Sequence, residues 1–452
     1  MRVILALLLV ACRGTVQTPP QPDGQADVAA QTDRPAEREE PLVAPPASDL
    51  EVAVPDEPAL ADESGGLDDS PVPEEALDEV SGEEGYFVVE VLKGPYLQDV
   101  TSTSVKVVAE VASVPLDGGA VQVGKKGQPK DRVYPFTYAK IATEMLPIPG
   151  TYLAIAVLDN LEPATDYDYC VTLGPEPVCE TFRTAPKNHD PTPFCFFAYG
   201  DTRTDHDAHK KVVTAMVATT PRPYFAIQTG DLPEIGSMLS QWQTFFDIEE
   251  PLLRFAPYYP VIGNHDDIFF GLDYYLAWFV LPAPEGGDER NYSFTYGTAA
   301  FVGLDTEEDI TKGPIFEWLD SELARLDAEG YMIFVVTHEP MYSFSTHGHY
   351  WAGPEPLIQL YKTHHVSAVL SGHNHCYEHF LADGIHYFTL GGGGAPLYAI
   401  DTHVIPEQKK YEMMARSVHH HALVCVEGSK ATLTAIDDDA NEVMEVVQIE
   451  RP

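Results

Sequence analysis

The sequence predicts a two-domain protein of the α/β (α+β) class, an N-terminal β-sandwich followed by a larger α/β domain. Three observations carry that prediction. Between Tyr86 and Pro186, short β-rich runs are divided by Gly, Pro and Asp turns. After Pro186 apolar strands alternate with longer helical or loop segments, the rhythm of a largely buried sheet. Five of those later strands run into Asp, Asn or His, and the carboxyl ends of strands are where such folds gather ligands. The 452 residues, 44% of them hydrophobic, suffice for sizeable cores. A formal net charge of −43 with no basic stripe excludes a phosphate-backbone binder, so no nucleic-acid partner is expected.

The chain opens with MRVILALLLVAC, a short apolar run behind one basic residue that reads as an export signal and is too short to span a bilayer. Leu9-Val10-Ala11-Cys12 resembles a bacterial lipobox, which makes 1–12 a lipoprotein-type signal and Cys12 the lipidation site; a plain secretory signal is the alternative. Residues 13–84 carry about twenty acids against three bases among prolines, with no sustained apolar period. That composition predicts a disordered, charge-extended tether. Residues 85–186 form the predicted sandwich, with VVEVL, TSVKVVAEV, AVQVG and YLAIAVL as strands. The phrase LDNLEPATDYDYCV, closing with FRTAP, resembles the late strands of a fibronectin type III domain. There a tyrosine fastens a corner by bonding back to the main chain, a part for Tyr167 or Tyr169.

The predicted α/β domain spans 187–452. Its strands are FCFFAYGD, PYFAIQTGD, YYPVIGNHD, AAFVGLDTE, YMIFVVTHEP, VSAVLSGHNH and IHYFTLGGGGAP, with helices through AHKKVVTAMVA, SQWQTFFDI and PIFEWLDSELARLD. In an exported protein the cysteines meet an oxidising compartment. Cys170 and Cys179 lie symmetrically about the Gly174-Pro175 turn, so a hairpin of matching register pairs them as a disulfide. Cys195 and Cys425 fall in apolar strands and are expected to pack. Cys376 has no second cysteine at zinc-site spacing.

The strand ends supply Asp201 in YGDTR, Asp231 in TGDLPE, Asn264 and His265 in IGNHD, His338 in VTHEP, and His373 with His375 in SGHNH. In this order they resemble the metallophosphoesterase (calcineurin-like phosphoesterase) superfamily. With a sandwich ahead of them, opened by GPYLQ at Gly94 to Gln98, they resemble its purple acid phosphatase branch. The resemblance runs from about Gly94 to the end of the chain. It implies a four-layer αββα catalytic domain around two divalent or trivalent ions, a pair drawn from Fe, Mn and Zn. By similarity Asp231 bridges the ions, Asp201 and His375 bind the first, and Asn264, His338 and His373 bind the second. Two ions about 3.5–4 Å apart need such a bridging carboxylate, and together they turn a bound water into hydroxide near neutral pH. Carboxylate, amide oxygen and imidazole suit Mn, Fe or Zn. The resemblance places His265 at the substrate, protonating the leaving oxygen or holding phosphate, with Asp266 orienting it.

Two departures from the pattern matter. Purple acid phosphatases place a chromophoric tyrosinate after the bridging motif; here the position is Glu234, so no purple chromophore is expected. Other branches of the superfamily use Asp-x-His in the first motif, but the third position is Arg203, which leaves the first ion three protein ligands, supplemented by water or Glu234. Arg203 has two readings, a grip on substrate phosphate through its planar fork or a salt bridge to Glu234 or Asp205. The segment EPMYSFSTHGHYW resembles a loop that carries a further substrate-facing histidine, with His347 preferred to His349. The run Gly391 to Gly394 lacks the Lys of a P-loop and reads as close backbone packing. His419 to His421 read as structural, and His364 and His365, ahead of a strand, as meeting solvent.

The resemblance implies hydrolysis of small phosphate monoesters by a bridging hydroxide. A phosphodiesterase or nucleotidase is the nearer alternative, and a non-catalytic cell-surface binding module the alternative of another class. The expected location is the bacterial cell envelope, lipid-anchored through Cys12 at the periplasmic or outer face, or else secreted.

Overall fold

The computed structural model describes residues 89–284 and 289–452. The signal with Cys12 and the acidic tether lie outside the described residues. The first eight strands are β1 (Val91–Gln98), β2 (Val105–Val111), β3 (Ala120–Lys125), β4 (Arg132–Pro135), β5 (Thr137–Lys140), β6 (Tyr152–Leu158), β7 (Asp166–Thr172) and β8 (Val178–Arg183). They form two four-stranded sheets, ordered β1-β2-β6-β5 and β4-β3-β7-β8. Period-two alternation is plain in β7, where Tyr167, Tyr169 and Val171 point inward. The two tyrosines divide the expected work. Tyr167 Oη accepts from the Glu162 main-chain N–H at 2.8 Å, fastening the corner, while Tyr169 Oη donates across to the Arg254 carbonyl at 2.5 Å. Cys170 and Cys179 stand opposite each other in the β7/β8 ladder and are bonded.

The remaining strands are β9 (Phe194–Tyr199), β10 (Ala226–Gln228), β11 (Tyr258–Pro260), β12 (Tyr292–Tyr296), β13 (Ala299–Gly303), β14 (Met332–Val336), β15 (Ala368–Ser371), β16 (Tyr377–Ala382), β17 (Ile385–Leu390), β18 (Glu412–Arg416), β19 (His420–Glu427), β20 (Lys430–Asp437) and β21 (Glu442–Glu450). The helices are α1 (His206–Ala218), α2 (Leu239–Leu253), α3 (Leu272–Trp278), α4 (Gly313–Glu329) and α5 (Glu355–Thr363). One sheet has the order β11-β10-β9-β19-β20-β21 and the other β12-β13-β14-β15-β17-β16-β18. In the first, β9, β10 and β11 are parallel; in the second, β13, β14, β15 and β17 are parallel.

Alternating residues explain the layering. Phe301, Phe334 and Leu370 face one core, which they share with Phe196 and Phe225 of the other sheet. Their neighbours Val302, Val335 and Val369 face a second core under Leu319, Leu323 and Leu326 of α4 and Leu357 of α5. Phe196 meets Phe301 and Phe334 edge-on, with ring centroids 5.1 and 5.6 Å away. Helices α1 and α2 bury Val212, Val213, Met216, Trp242 and Phe245 in the first core. The sheets are thus the two middle layers of the α/β fold.

Cys195 and Cys425 do more than pack: β19 runs antiparallel to β9, sets the two opposite each other, and they form a second disulfide across 230 residues of sequence. Adjacency through a returning C-terminal strand leaves no local trace in either motif. The sandwich shares the first core, to which it contributes Tyr96, Leu97 and Val107. Tyr96 Oη donates to the Trp278 carbonyl at 2.6 Å, and Gln98 Oε1 accepts from the Val280 N–H at 2.7 Å. Among the described residues no helix is long and apolar enough to cross a membrane.

Candidate metal centre

Each residue of the site lies just past the carboxyl end of a parallel strand: Asp201 after β9, Asp231 after β10, Asn264 and His265 after β11, His338 after β14, and His373 and His375 after β15. The two sheets therefore converge their strand ends on one place. Asp201, Asp231 and His373 have φ of 57°, 59° and 67°, left-handed values that cost a non-glycine residue energy and persist where surroundings over-determine them. The preceding glycines are there for room. A Cβ on Gly263 would lie 2.4 Å from Asp231 Oδ1, and one on Gly372 would lie 2.4 Å from Asp201 Oδ2.

Four acceptor atoms crowd one point. His338 Nδ1 donates to the Thr229 carbonyl at 2.8 Å, which leaves Nε2 as a bare lone pair. That Nε2 lies 3.1 Å from Asn264 Oδ1, 3.2 Å from His373 Nδ1 and 3.3 Å from Asp231 Oδ1. His373 Nδ1 is 3.0 Å from the same Asn264 oxygen. Of the four atoms only His373 Nδ1 is able to carry a proton, so lone pairs outnumber protons, an imbalance that a cation resolves. Ligand atoms of Asp201, Asp231 and His338 all lie within 4.8 Å of one another. Burial holds the imidazoles neutral. It lowers His338, lowers His373 well below the ordinary range with help from His338, and with Arg203 takes His375 to about 3. Burial would raise Asp231, but His338, His265 and Arg203 outweigh it and hold the carboxylate at about 2. Burial and the charge of Asp231 push Asp201 up.

The flank beside Asp201 and His375 is different. His375 Nδ1 donates to the Pro396 carbonyl at 2.7 Å, so its Nε2 is also a lone pair. It faces Arg203 Nη2 at 3.2 Å and lies 3.6 Å from Asp201 Oδ1. Arg203 Nε donates to Asp231 Oδ2 at 3.1 Å and Nη1 to Glu234 Oε2 at 2.6 Å. The salt bridge to Glu234 is thus present, and the phosphate grip expected of Arg203 is not the arrangement found, because its donors already have acceptors. Tyr398, which no sequence signal singled out, stacks on His375 with centroids 3.9 Å apart.

His265 is anchored by its main-chain N–H to Asp231 Oδ1 at 2.9 Å and by Nδ1 to the Glu234 carbonyl at 2.6 Å. The expectation that Asp266 orients that ring is corrected. The Asp266 carboxylate is buried and accepts from the N–H groups of Gly263, Asp231 and Leu232 at 2.8, 2.9 and 2.9 Å, so it builds the turn that carries Asp231. His347 lies at the site, its ring centroid 4.6 Å from that of His373; His349 instead directs Nδ1 to the Tyr350 carbonyl at 3.2 Å. Glu307, beyond β13, also escaped the sequence reading. Burial, with Glu339 and Asp231, raises its carboxyl to about 9.

Residues 196–377 match the family model of calcineurin-like phosphoesterases. An uncharacterized protein of Mycobacterium tuberculosis is 27% identical over 264 residues, covering 49% of this chain and 50% of its own length. A purple acid phosphatase of Glycine max is 25% identical over 305 residues, covering 58% and 64%. The chain spans about half the length of the Mycobacterium relative. Among solved structures, a purple acid phosphatase of yellow lupin superposes with a TM-score of 0.64 at 19% identity, covering 79% of this chain and 74% of that one. PhoD gives 0.58 at 14% identity over 80% and 88%. These two show the fold. The dinuclear centre that the family implies fits the two flanks unequally: Asp231, Asn264, His338 and His373 converge as a cation requires, whereas the lone pair of His375 is already engaged by Arg203.

Proposed function

We propose that this chain, whose residues 196–377 form a calcineurin-like phosphoesterase domain, is an exported, metal-dependent hydrolase of phosphate monoesters. The observation that carries the reading is the crowding of Asn264 Oδ1, His338 Nε2, His373 Nδ1 and Asp231 Oδ1 within 3.0–3.3 Å contacts. Those residues would hold a transition-metal ion of the Mn, Fe or Zn kind. Such an ion supplies Lewis acidity toward phosphoryl oxygens and lowers the pKa of water.

The chain's own groups do the rest. The Glu234 carbonyl accepts from Nδ1 of His265, which leaves Nε2 for the substrate; the imidazolium form gives its Nε2 proton to the leaving oxygen and ends as the neutral ring still bonded to Glu234. Asp266 keeps the Asp231 turn rigid through its three main-chain bonds. His347, exposed beside His373, stands where an incoming phosphate meets the site. A nucleotidase is the second reading. Phe269 and Phe270, four and five residues beyond His265, are 73% and 58% exposed and offer faces to an aromatic leaving group.

The export reading rests on the signal-like opening and on two disulfides, which persist in oxidising compartments. A lipid at Cys12 would then tether the chain to the envelope, and Cys12→Ala would release it to the soluble fraction. Turnover of a chromogenic phosphate ester, abolished by chelation and restored by Mn, Fe or Zn, is the expected result. No turnover with any of these metals would move the reading to the non-catalytic binding module.

A further inference from the structure

The Arg203 side chain enters the metal centre with only 10% of its surface exposed. A guanidinium has five N–H donors and no acceptor. All five are engaged: Nε with Asp231 Oδ2 at 3.1 Å, Nη1 with Glu234 Oε2 at 2.6 Å and Thr204 Oγ1 at 3.3 Å, and Nη2 with His375 Nε2 at 3.2 Å and Tyr398 Oη at 3.4 Å. A side chain so committed has no free fork for a substrate.

These contacts compete directly with an ion. Nε2 of His375 has a single lone pair, because Nδ1 carries the proton given to the Pro396 carbonyl. A metal on that lone pair would sit about 2.1 Å from Nε2. Arg203 Nη2 lies 3.2 Å from the same atom. If both follow the lone-pair direction, only about 1 Å would separate them, so ion and guanidinium exclude each other. The charge requirement is met in the same stroke. Asp231 and Glu234 both contact the guanidinium, at 3.1 and 2.6 Å. A guanidinium stays charged at every working pH.

We propose that the protein holds one transition-metal ion, at Asp231, Asn264, His338 and His373, and that the Arg203 guanidinium permanently occupies the position a second ion takes in two-metal phosphoesterases. The proposal rests on the functional reading only for the presence of a metal. It makes Arg203 a fixed cation that chelators do not remove. His375 becomes a positioning residue, holding Arg203 with Tyr398 stacked behind it.

Metal counting tests it. The full chain is stripped by chelation, reloaded separately with Mn, Fe or Zn, freed of excess metal and assayed for metal per chain by mass spectrometry, with turnover measured on the same samples. Wild type is expected to keep one equivalent, His373→Ala none, and His375→Ala one. Arg203→His, which restores a possible imidazole ligand and removes the guanidinium, is expected to gain a second equivalent. Two equivalents in wild type, falling to one in His375→Ala, would overturn the proposal while leaving metal-dependent hydrolysis standing. A folded Arg203→His protein that stays at one equivalent would also overturn it. No bound metal in wild type under any of the three would remove both ideas. One equivalent without turnover would support the proposal and remove the hydrolase reading alone. The wild-type count decides even if Arg203→His fails to fold.

Discussion

Replacing Asp266 by asparagine separates an anchor of the Asp231 turn from an orienter of His265. The Asp266 carboxylate takes three main-chain N–H groups, two on Oδ2 (Gly263 at 2.8 Å and Asp231 at 2.9 Å) and one on Oδ1 (Leu232 at 2.9 Å), in a fully buried setting. Asparagine has one acceptor oxygen. Its best placement keeps the Gly263 and Asp231 bonds and turns an NH2 toward the Leu232 N–H, leaving donors facing each other. Loss of one hydrogen bond to a charged group costs about 1.5–3 kcal/mol, with a desolvation penalty of similar size for the unpaired donor. About 2–4 kcal/mol of stability should go. In urea titrations the midpoint falls with m unchanged. Because the turn carries Asp231, metal affinity should drop about 10–100-fold, the range seen for outer partners of ligands. The pH profile of the remaining turnover should keep its shape, since His265 is oriented by the Glu234 carbonyl. Unchanged metal affinity with a displaced pH limb would refute this reasoning and return Asp266 to the orienting role.

His265→Ala should leave metal content intact and lower kcat by about 10²–10⁴, a split checked by elemental analysis beside steady-state kinetics. Removing Cys195 and Cys425 together by alanine should cost about 2–5 kcal/mol; equal denaturation midpoints before and after substitution would contradict the second disulfide's role. His375, held at about 3 in the fold against about 6.5 unfolded, stays neutral while the unfolded chain takes up a proton. The share of metal-free stability that His375 carries should therefore fall as pH drops below about 6.5, by up to ~1.4 kcal/mol per unit, and level off near 3. Asp231, held at about 2, contributes stability that is lost only as pH falls from about 3.8 toward 2. Glu307, raised to about 9, and other shifted groups act in the same window, so the His375 part is read as the difference between urea series of wild type and His375→Gln from pH 6.5 to 4, where the substituted protein should lack this share of the slope. Phe196→Ala, which empties the contact between the sheets, should cost about 3–5 kcal/mol, read from the same titrations.

The sequence made the strand ends legible because each pairs an apolar run with a ligand-type side chain, four of the five with a glycine between them and His338 after Thr337, a combination local enough to see in ten residues. The order of the seven strands that carry or neighbour the site, and of α1, α2 and α4, followed from the same periodicity, whereas α3 and α5 were not read; the Cys170–Cys179 bridge followed from symmetry about one turn. What escaped was set by tertiary adjacency. Cys425 reaches Cys195 only because β19 returns beside β9. Asp266, next to His265 in sequence, turns its carboxylate the other way because three buried amides of the Asp231 turn need an acceptor. Tyr398 arrives behind His375 through the loop after β17, and no pattern in GAPLYAI announces it. Arg203 was recognisable as an exception to the motif. Its five partners come from Thr204, Asp231, Glu234, His375 and Tyr398, so their number was not.

The most direct test of the central claim is an anomalous difference map, recorded at the absorption edge of the loaded Mn, Fe or Zn on crystals of the full chain. The account predicts a peak within bonding distance of Asn264 Oδ1, His338 Nε2, His373 Nδ1 and the Asp231 carboxylate. A map featureless there, from crystals of protein saturated with each metal in turn, would contradict it.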